Sequence, residues 1–367
     1  MSNALPTQIH TELAETCARI GRPVGLMEVC GTHTMSVFRN GIRALLPPTL
    51  RLISGPGCPV CVTAQRYIDA AIEIATRPEV IVATYGDMLR VPGRRGSLEG
   101  QRACGAQVRV VYSIRDALEL AIRKPDQTVV FIGVGFETTA PATAAAVREA
   151  HARQIDNFCV LPAHKLVVPA MLALLEAGDA PIDGFLCPGH VSVIIGARAY
   201  RPVVERYHRP CVVAGFEPGQ IMQGLLHLVR QIARGEARLE NVYGVAVQDE
   251  GNPTALKLMN EVFEVSDAVW RAMGVIPQSG LDIRPKYARF DALKRFGISL
   301  GADEDPPGCL CGEVIQGKVS PPECALFGAT CTPLRPVGPC MVSSEGTCAA
   351  WFKYGSPGTR RANGPTG

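Results

Sequence analysis

Between residues 24 and 250, short apolar runs alternate with segments whose apolar residues recur at helical spacing. Few architectures accept that alternation. The runs are VGLMEV (24–29), LRLIS (50–54), VIVATY (80–85), QVRVVYS (107–113), TVVFIGV (128–134), FCVLPA (158–163), DGFLC (183–187), CVVAGF (211–216) and VYGVAV (242–247). Strands apolar on both faces must be covered on both faces, which points to α/β layers with mainly parallel sheets. Segments such as DALELAIRK (116–124), TTAPATAAAVREAHARQ (138–154) and PGQIMQGLLHLVRQIARG (218–235) supply the covering helices, with Gly235 placed to end the last. Four runs precede residue 125 and five follow it. The grouping predicts two similar α/β domains, 24–125 and 126–250.

Past residue 250 the pattern changes. NPTALKLMNEVFEVSDAVWRAM (252–273) reads as one long amphipathic helix, after which Pro, Gly and Cys become dense. The stretch from 301 to 348 is too poor in apolar residues for an ordinary core and calls for a staple, most simply a metal. A third, mostly helical and loop-rich domain is therefore expected over 251–355, with 1–23 packing on it and 356–367 a disordered tail.

The start of the chain carries Glu12 and Glu15 and lacks the apolar core of a signal peptide. No apolar run reaches the roughly 18 residues of a membrane helix. Net charge of +3 with no Lys/Arg-rich block argues against nucleic acid. A cytoplasmic location follows as the expectation. Thiols stay reduced there, so 14 cysteines suggest metal binding or redox chemistry rather than structural disulfides.

Ligands in open α/β sheets bind beyond the C-terminal ends of the strands, where loops form crevices and helices begin. Seven loops meet that rule: CGTHT (30–34), GPGCPVC (55–61), TYGDM (84–88), GFETTAP (135–141), PAHK (162–165), PGHVS (188–192) and GFEPGQ (215–220). In the second, Cys58 and Cys61 form a C-x-x-C between a strand and a helix start, where the helix dipole favours the thiolate and a disulfide can close reversibly. Zinc binding and plain packing are the competing readings. Cys30 and His33 join a soft sulfur donor to an imidazole, or else a buried thiol to a capping threonine. His164 and His190 occupy similar loops, and alone each fits a structural histidine. Glu137 and Glu217 follow strand ends in GFE and suit a helix-capping role first, a proton-handling role second.

Six further cysteines crowd the C-terminal region: Cys309, Cys311, Cys324, Cys331, Cys340 and Cys348. Their irregular spacing matches neither paired zinc knuckles nor the ferredoxin runs. Four thiolates on separate loops suit a [4Fe–4S] cluster, and zinc stays open.

Five stretches, MEVCGTHT (27–34), GPGCPVC (55–61), PGHVSVIIG (188–196), GFEPGQIM (215–222) and GPCMVSSEGTCAAWFKYG (338–355), stand in an order that resembles the HypD family of hydrogenase maturation factors. The resemblance runs from about residue 20 to 355. It implies a scaffold for the Fe(CN)2CO unit of [NiFe]-hydrogenase, with Cys30 holding substrate iron together with a small HypC-type chaperone. A HypE-type carbamoyl dehydratase would deliver cyanide. Cys58 and Cys61 would be a redox-active dithiol, and His33, Glu217 and His190 candidates to move protons and position diatomic ligands. The resemblance further implies a [4Fe–4S] cluster on four cysteines, chosen among Cys311, Cys324, Cys331, Cys340 and Cys348, with Cys309 incidental. A stand-alone Fe–S-dependent disulfide reductase and a structural zinc protein are the alternatives.

Overall fold

The computed structural model describes residues 4–355; the tail expected at 356–367 lies outside them. The α/β architecture with parallel sheets is as expected. β1 (Val24–Glu28), β2 (Leu50–Ser54), β7 (Gly184–Pro188), β8 (Cys211–Ala214) and β9 (Leu239–Asn241) form a parallel sheet in the order β2-β1-β7-β8-β9. β3 (Val80–Thr84), β4 (Gln107–Val110), β5 (Thr128–Gly135) and β6 (Phe158–His164) form a second in the order β4-β3-β5-β6. β1, β3, β6, β7 and β8 are buried along their whole length, which is why they read as unbroken apolar runs.

Sheet membership does not follow the contiguous four-plus-five grouping, and no sheet boundary falls at residue 125. The chain lays down β1 and β2, leaves to build the second sheet, and returns for β7 to β9. A clamp fixes the return. Asp183, just before β7, accepts hydrogen bonds from the Gly25 amide (2.8 Å) and the Arg22 guanidinium (2.9 and 3.0 Å), and donates its own amide to the Gly25 carbonyl (2.7 Å). Such pairing joins residues 158 positions apart, beyond the reach of a periodicity argument.

The long helix expected over 252–273 is in fact a short helix and a hairpin. The helix Pro253–Val262 starts at Asn252, whose side chain caps the Ala255 amide, and stops at Phe263. β10 (Phe263–Trp270) and β11 (Gly274–Ile283) then pair antiparallel. The apolar positions Phe263, Ala268 and Trp270 fit either period locally; the partner strand decides between them. The strand expected at 242–247 is displaced to 239–241, because the Asn241 side chain accepts the Tyr243 amide and donates to the Val247 carbonyl, folding that segment into a turn.

The helix Ala4–Ile20 does not pack on the cysteine-rich region. It lies along the helix Pro218–Ala233, with Leu13 and Cys17 in a core shared with Leu225, Leu228 and Val229 and Glu12 paired with Arg230. The C-terminal region is loop-rich with short helices Cys311–Ile315, Pro339–Val342 and Thr347–Tyr354. Two contacts dock it. Trp351 meets Phe38 edge-on at 5.4 Å under the Arg43 guanidinium, and Asp87 accepts hydrogen bonds from the Ser343 hydroxyl (3.1 Å) and the Ser344 amide (2.9 Å). Among the described residues no helix is long and apolar enough to cross a membrane.

Candidate iron and redox site

The seven loops sort onto the two sheets. Those carrying Cys58 and Cys61, Cys30 and His33, His190, and Glu217 follow β2, β1, β7 and β8, four adjacent strands of one parallel sheet. They open at the same edge, the crevice position of such sheets. The loops with Asp87, Glu137 and His164 follow β3, β5 and β6 at the corresponding edge of the second sheet.

Cys30 is the N-cap of the helix Gly31–Arg39 and is half-buried. Its amide donates to Glu28 Oε2 (3.3 Å), whose other oxygen accepts the Thr34 hydroxyl (2.5 Å). Burial pushes the Cys30 thiol up to about 12, against the pull of the His33 amide; Glu345 and Glu28 add to the rise. Glu345 reaches this loop from the C-terminal region and accepts the Thr32 hydroxyl at 2.9 Å. A lone sulfur among carboxylates holds its proton until a cation compensates the charge.

The Cys30 loop and the dithiol loop touch through backbone. The Gly31 amide donates to the Gly57 carbonyl (3.1 Å), one residue before Cys58. Cys58 and Cys61 are disulfide-bonded and buried at the start of the helix Pro59–Val62, where the Cys61 amide donates to Cys58 Sγ (3.1 Å). That helix contacts the helices beginning at Cys311 and Pro339, and the pair shares one continuous core with Cys311, Cys331, Cys340 and Cys348.

All six C-terminal cysteines, Cys309 included, line a single pocket. Leu310, Val314, Leu326, Phe327 and Met341 make up much of the remaining wall. The Cys311 thiol contacts Cys340, which with burial raises it well above its ordinary value, and Cys340 also contacts Cys348. The Val337 amide donates to Cys331 Sγ at 3.3 Å. Gly338 admits this crowding: a Cβ there would lie 2.7 Å from Cys309 Sγ. Among the described residues, no group of three or more His, Cys, Asp or Glu side chains is arranged to hold one metal ion, so the thiols surround a space without meeting at a point.

His33 is fully buried and donates Nε2–H to the Gly215 carbonyl (2.9 Å), while Nδ1 has no hydrogen-bond partner. Burial lowers its pKa to about 4, so the ring is neutral. Phe216 lies between the two histidines, 4.8 Å from His33 and 4.0 Å from the exposed His190. Glu217 is exposed and starts the helix Pro218–Ala233, exchanging capping contacts with Gln220. The capping reading of Glu217 is the one its geometry matches.

Glu137 belongs to the other edge. Buried, it accepts the Val167 amide at 3.0 Å through Oε1 and leaves Oε2 unpaired, and burial raises its pKa to about 7. The folded state therefore keeps a proton that the unfolded chain loses above pH 4.5, and stability falls as pH rises through 4.5 to 7. Glu137→Gln keeps the acceptor and removes this titration. Relative to wild type, its unfolding free energy should improve by up to about 3 kcal/mol between pH 5 and pH 8 in denaturant titrations. A pH-independent difference would contradict the buried protonated carboxyl. His164, 1% exposed, is held neutral by burial, with a pKa of about 3, and contacts Thr143 at 3.3 Å rather than the cysteine sites.

A family model described as "Hydrogenase formation hypA family", HypD, matches residues 4–355. The chain belongs to the HypD family. It is similar to proteins named hydrogenase maturation factor HypD from three bacteria. Identity is 48% over 334 residues with Escherichia coli strain K12, covering 91% of this chain and 90% of the relative. With Cupriavidus necator it is 47% over 346 residues, covering 92% and 91%, and with Rhodobacter capsulatus 46% over 361 residues, covering 96% of both.

Within this HypD-family chain, sequence reasoning gave no role to Glu28, Glu345 or Asp87. The first two lie inside the quoted motif stretches, so the signal was present: carboxylates next to a cysteine loop. Which sulfur they face depends on contacts spanning up to 313 residues.

Proposed function

We propose that this chain serves hydrogenase maturation as the scaffold on which the Fe(CN)2CO unit is assembled, with Cys30 as the iron ligand and Cys58 and Cys61 as the reductant. The observation that carries the proposal is adjacency: the Cys30 loop abuts the residue before Cys58, and the dithiol helix abuts the helices of the six-cysteine pocket. Low-spin ferrous iron carrying cyanide and CO favours soft thiolate donors, one from Cys30 and one from a HypC-type chaperone.

Cyanide arriving as a thiocyanate on a HypE-type partner requires two electrons. The S–C bond breaks, cyanide passes to iron, and the carrier sulfur takes one proton. Cys58 and Cys61 supply both electrons by closing their disulfide and release one proton, which the carrier keeps. His33, neutral and with Nδ1 unpaired, is the imidazole placed to accept a hydrogen bond or proton near the iron loop.

Four of Cys311, Cys324, Cys331, Cys340 and Cys348 would hold a [4Fe–4S] cluster. The fit rests on thiols that surround a mainly apolar space, and on an amide already aimed at one sulfur. Such a cluster would supply single electrons to reopen the disulfide. A stand-alone disulfide reductase fits less well, since both redox sulfurs are buried and Cys30 would have no task.

Anaerobic co-purification with the HypC-type chaperone, with iron supplied and the HypE-type partner present, tests the reading by infrared spectroscopy. Bands of iron-bound cyanide and CO are expected. A complex that carries iron but no such bands overturns the scaffold reading.

A further inference from the structure

We infer that Arg271 is a positioning residue for the redox couple, its buried charge making the Cys58–Cys61 disulfide easier to reduce. This rests on the reading of that pair as a cycling dithiol. Arg271 stands at the tip of the β10–β11 hairpin with its side chain 2% exposed. Its amide donates to the Val62 carbonyl (2.9 Å) and Nε to the Thr63 carbonyl (3.1 Å), so it closes the C-terminal end of the dithiol helix. Nη1 reaches Gln65 (3.4 Å) and Asp305 (3.3 Å), and Nη2 is buried without a hydrogen-bond partner.

The next residue carries the tip across to the cysteine pocket. Ala272 packs so closely on Gly312 that a Cβ there would lie 2.1 Å from its own, and the Ala272 carbonyl accepts Gln316 Nε2 (3.1 Å). The hairpin is thus wedged between the dithiol helix and the helix that begins at Cys311.

Carbonyls at a helix end need donors, which neutral amides can provide. A guanidinium buried with one hydrogen bond missing, and a single half-exposed carboxylate at 3.3 Å, adds a charge that those donors do not require. Reducing the disulfide breaks the S–S bond, adds two electrons and takes up one proton, leaving one thiol and one thiolate, the charged form that a C-x-x-C at a helix start favours. A fixed cation in a low-dielectric setting stabilises that product relative to the neutral disulfide.

The test equilibrates the full chain anaerobically with graded ratios of reduced to oxidised dithiothreitol, whose two thiols give up electrons and protons as its ring disulfide closes. Alkylation and peptide mapping then read the Cys58–Cys61 fraction. Arg271→Gln should lower the equilibrium constant for reduction about tenfold, equivalent to about 30 mV for this two-electron couple. Arg271→Lys should stay within about threefold of wild type, because the charge survives. Asp305→Asn, on the surface side of the same pair, should move the constant the opposite way by about threefold. An unchanged constant in folded Arg271→Gln, or a shift of Asp305→Asn in the same direction, overturns the inference. A wild-type disulfide that does not exchange at all removes the dithiol reading itself.

Discussion

Cys30→Ala should abolish the infrared bands of iron-bound cyanide and CO in the complex with the chaperone, while leaving the Cys58–Cys61 exchange constant within about twofold of wild type. Two features separate these outcomes. The Cys30 side chain is half-buried at a crevice edge, so alanine removes one sulfur without opening a core cavity, and stability should change by less than about 1 kcal/mol. The loop itself is held by backbone, through the Cys30 amide to Glu28 and the Gly31 amide to Gly57, and both contacts survive the change. Visible absorption from any cluster in the cysteine pocket should also be unaltered. Persistence of the bands would place the iron on another ligand and dismiss Cys30 from its role. Loss of the bands together with loss of dithiol exchange would mean that the variant had disturbed the whole edge, which Cys30→Ser, closer in shape, would then have to repeat.

The strands were legible because β1, β3, β7 and β8 are buried on both faces, and that burial writes itself as unbroken apolar sequence. Their assignment to sheets was not legible. Which strand neighbours β1 depends on the Asp183 clamp, a contact between residues far apart in sequence. The 252–273 segment shows the same limit at smaller scale. Its apolar spacing satisfies a helix, and only pairing with 274–283 makes half of it a strand. For the candidate site, cysteine-bearing loops just after apolar runs were legible as loops at strand ends, since loop position follows from strand position, but not as neighbours on one sheet. The electrostatic surroundings lay further off. Glu345 facing Cys30, and Arg271 wedged beside the dithiol, come from the C-terminal region and from a hairpin that the periodicity argument had dissolved into a helix.

Gly57→Ala should be as damaging as losing a ligand, because the atoms nearest the new methyl are backbone. A Cβ at position 57 would sit 2.2 Å from the Cys30 nitrogen, 2.4 Å from the Val29 carbonyl carbon and 2.5 Å from the Cys30 Cα. All three are backbone atoms, so no rotamer change relieves the clash, and the loops after β1 and β2 must part by about 1 Å to reach ordinary contact. Parting weakens the Gly31–Gly57 hydrogen bond and carries Cys58 away from Cys30 in the same movement. Overpacking of this kind costs about 3 kcal/mol of stability, measurable by denaturant titration. Displacement of reacting groups by about 1 Å lowers assembly of the cyanide-bearing iron unit by about 100-fold, read as hydrogenase activity restored per unit of added protein. Gly219→Ala is the matched control at the same sheet edge. A Cβ there meets nothing within 4 Å, so stability should move by less than about 0.5 kcal/mol and assembly should stay near wild type. If Gly57→Ala assembled iron as well as Gly219→Ala does, the spacing between the two sulfur loops would be irrelevant to the chemistry, and the case for one shared site would fail with it.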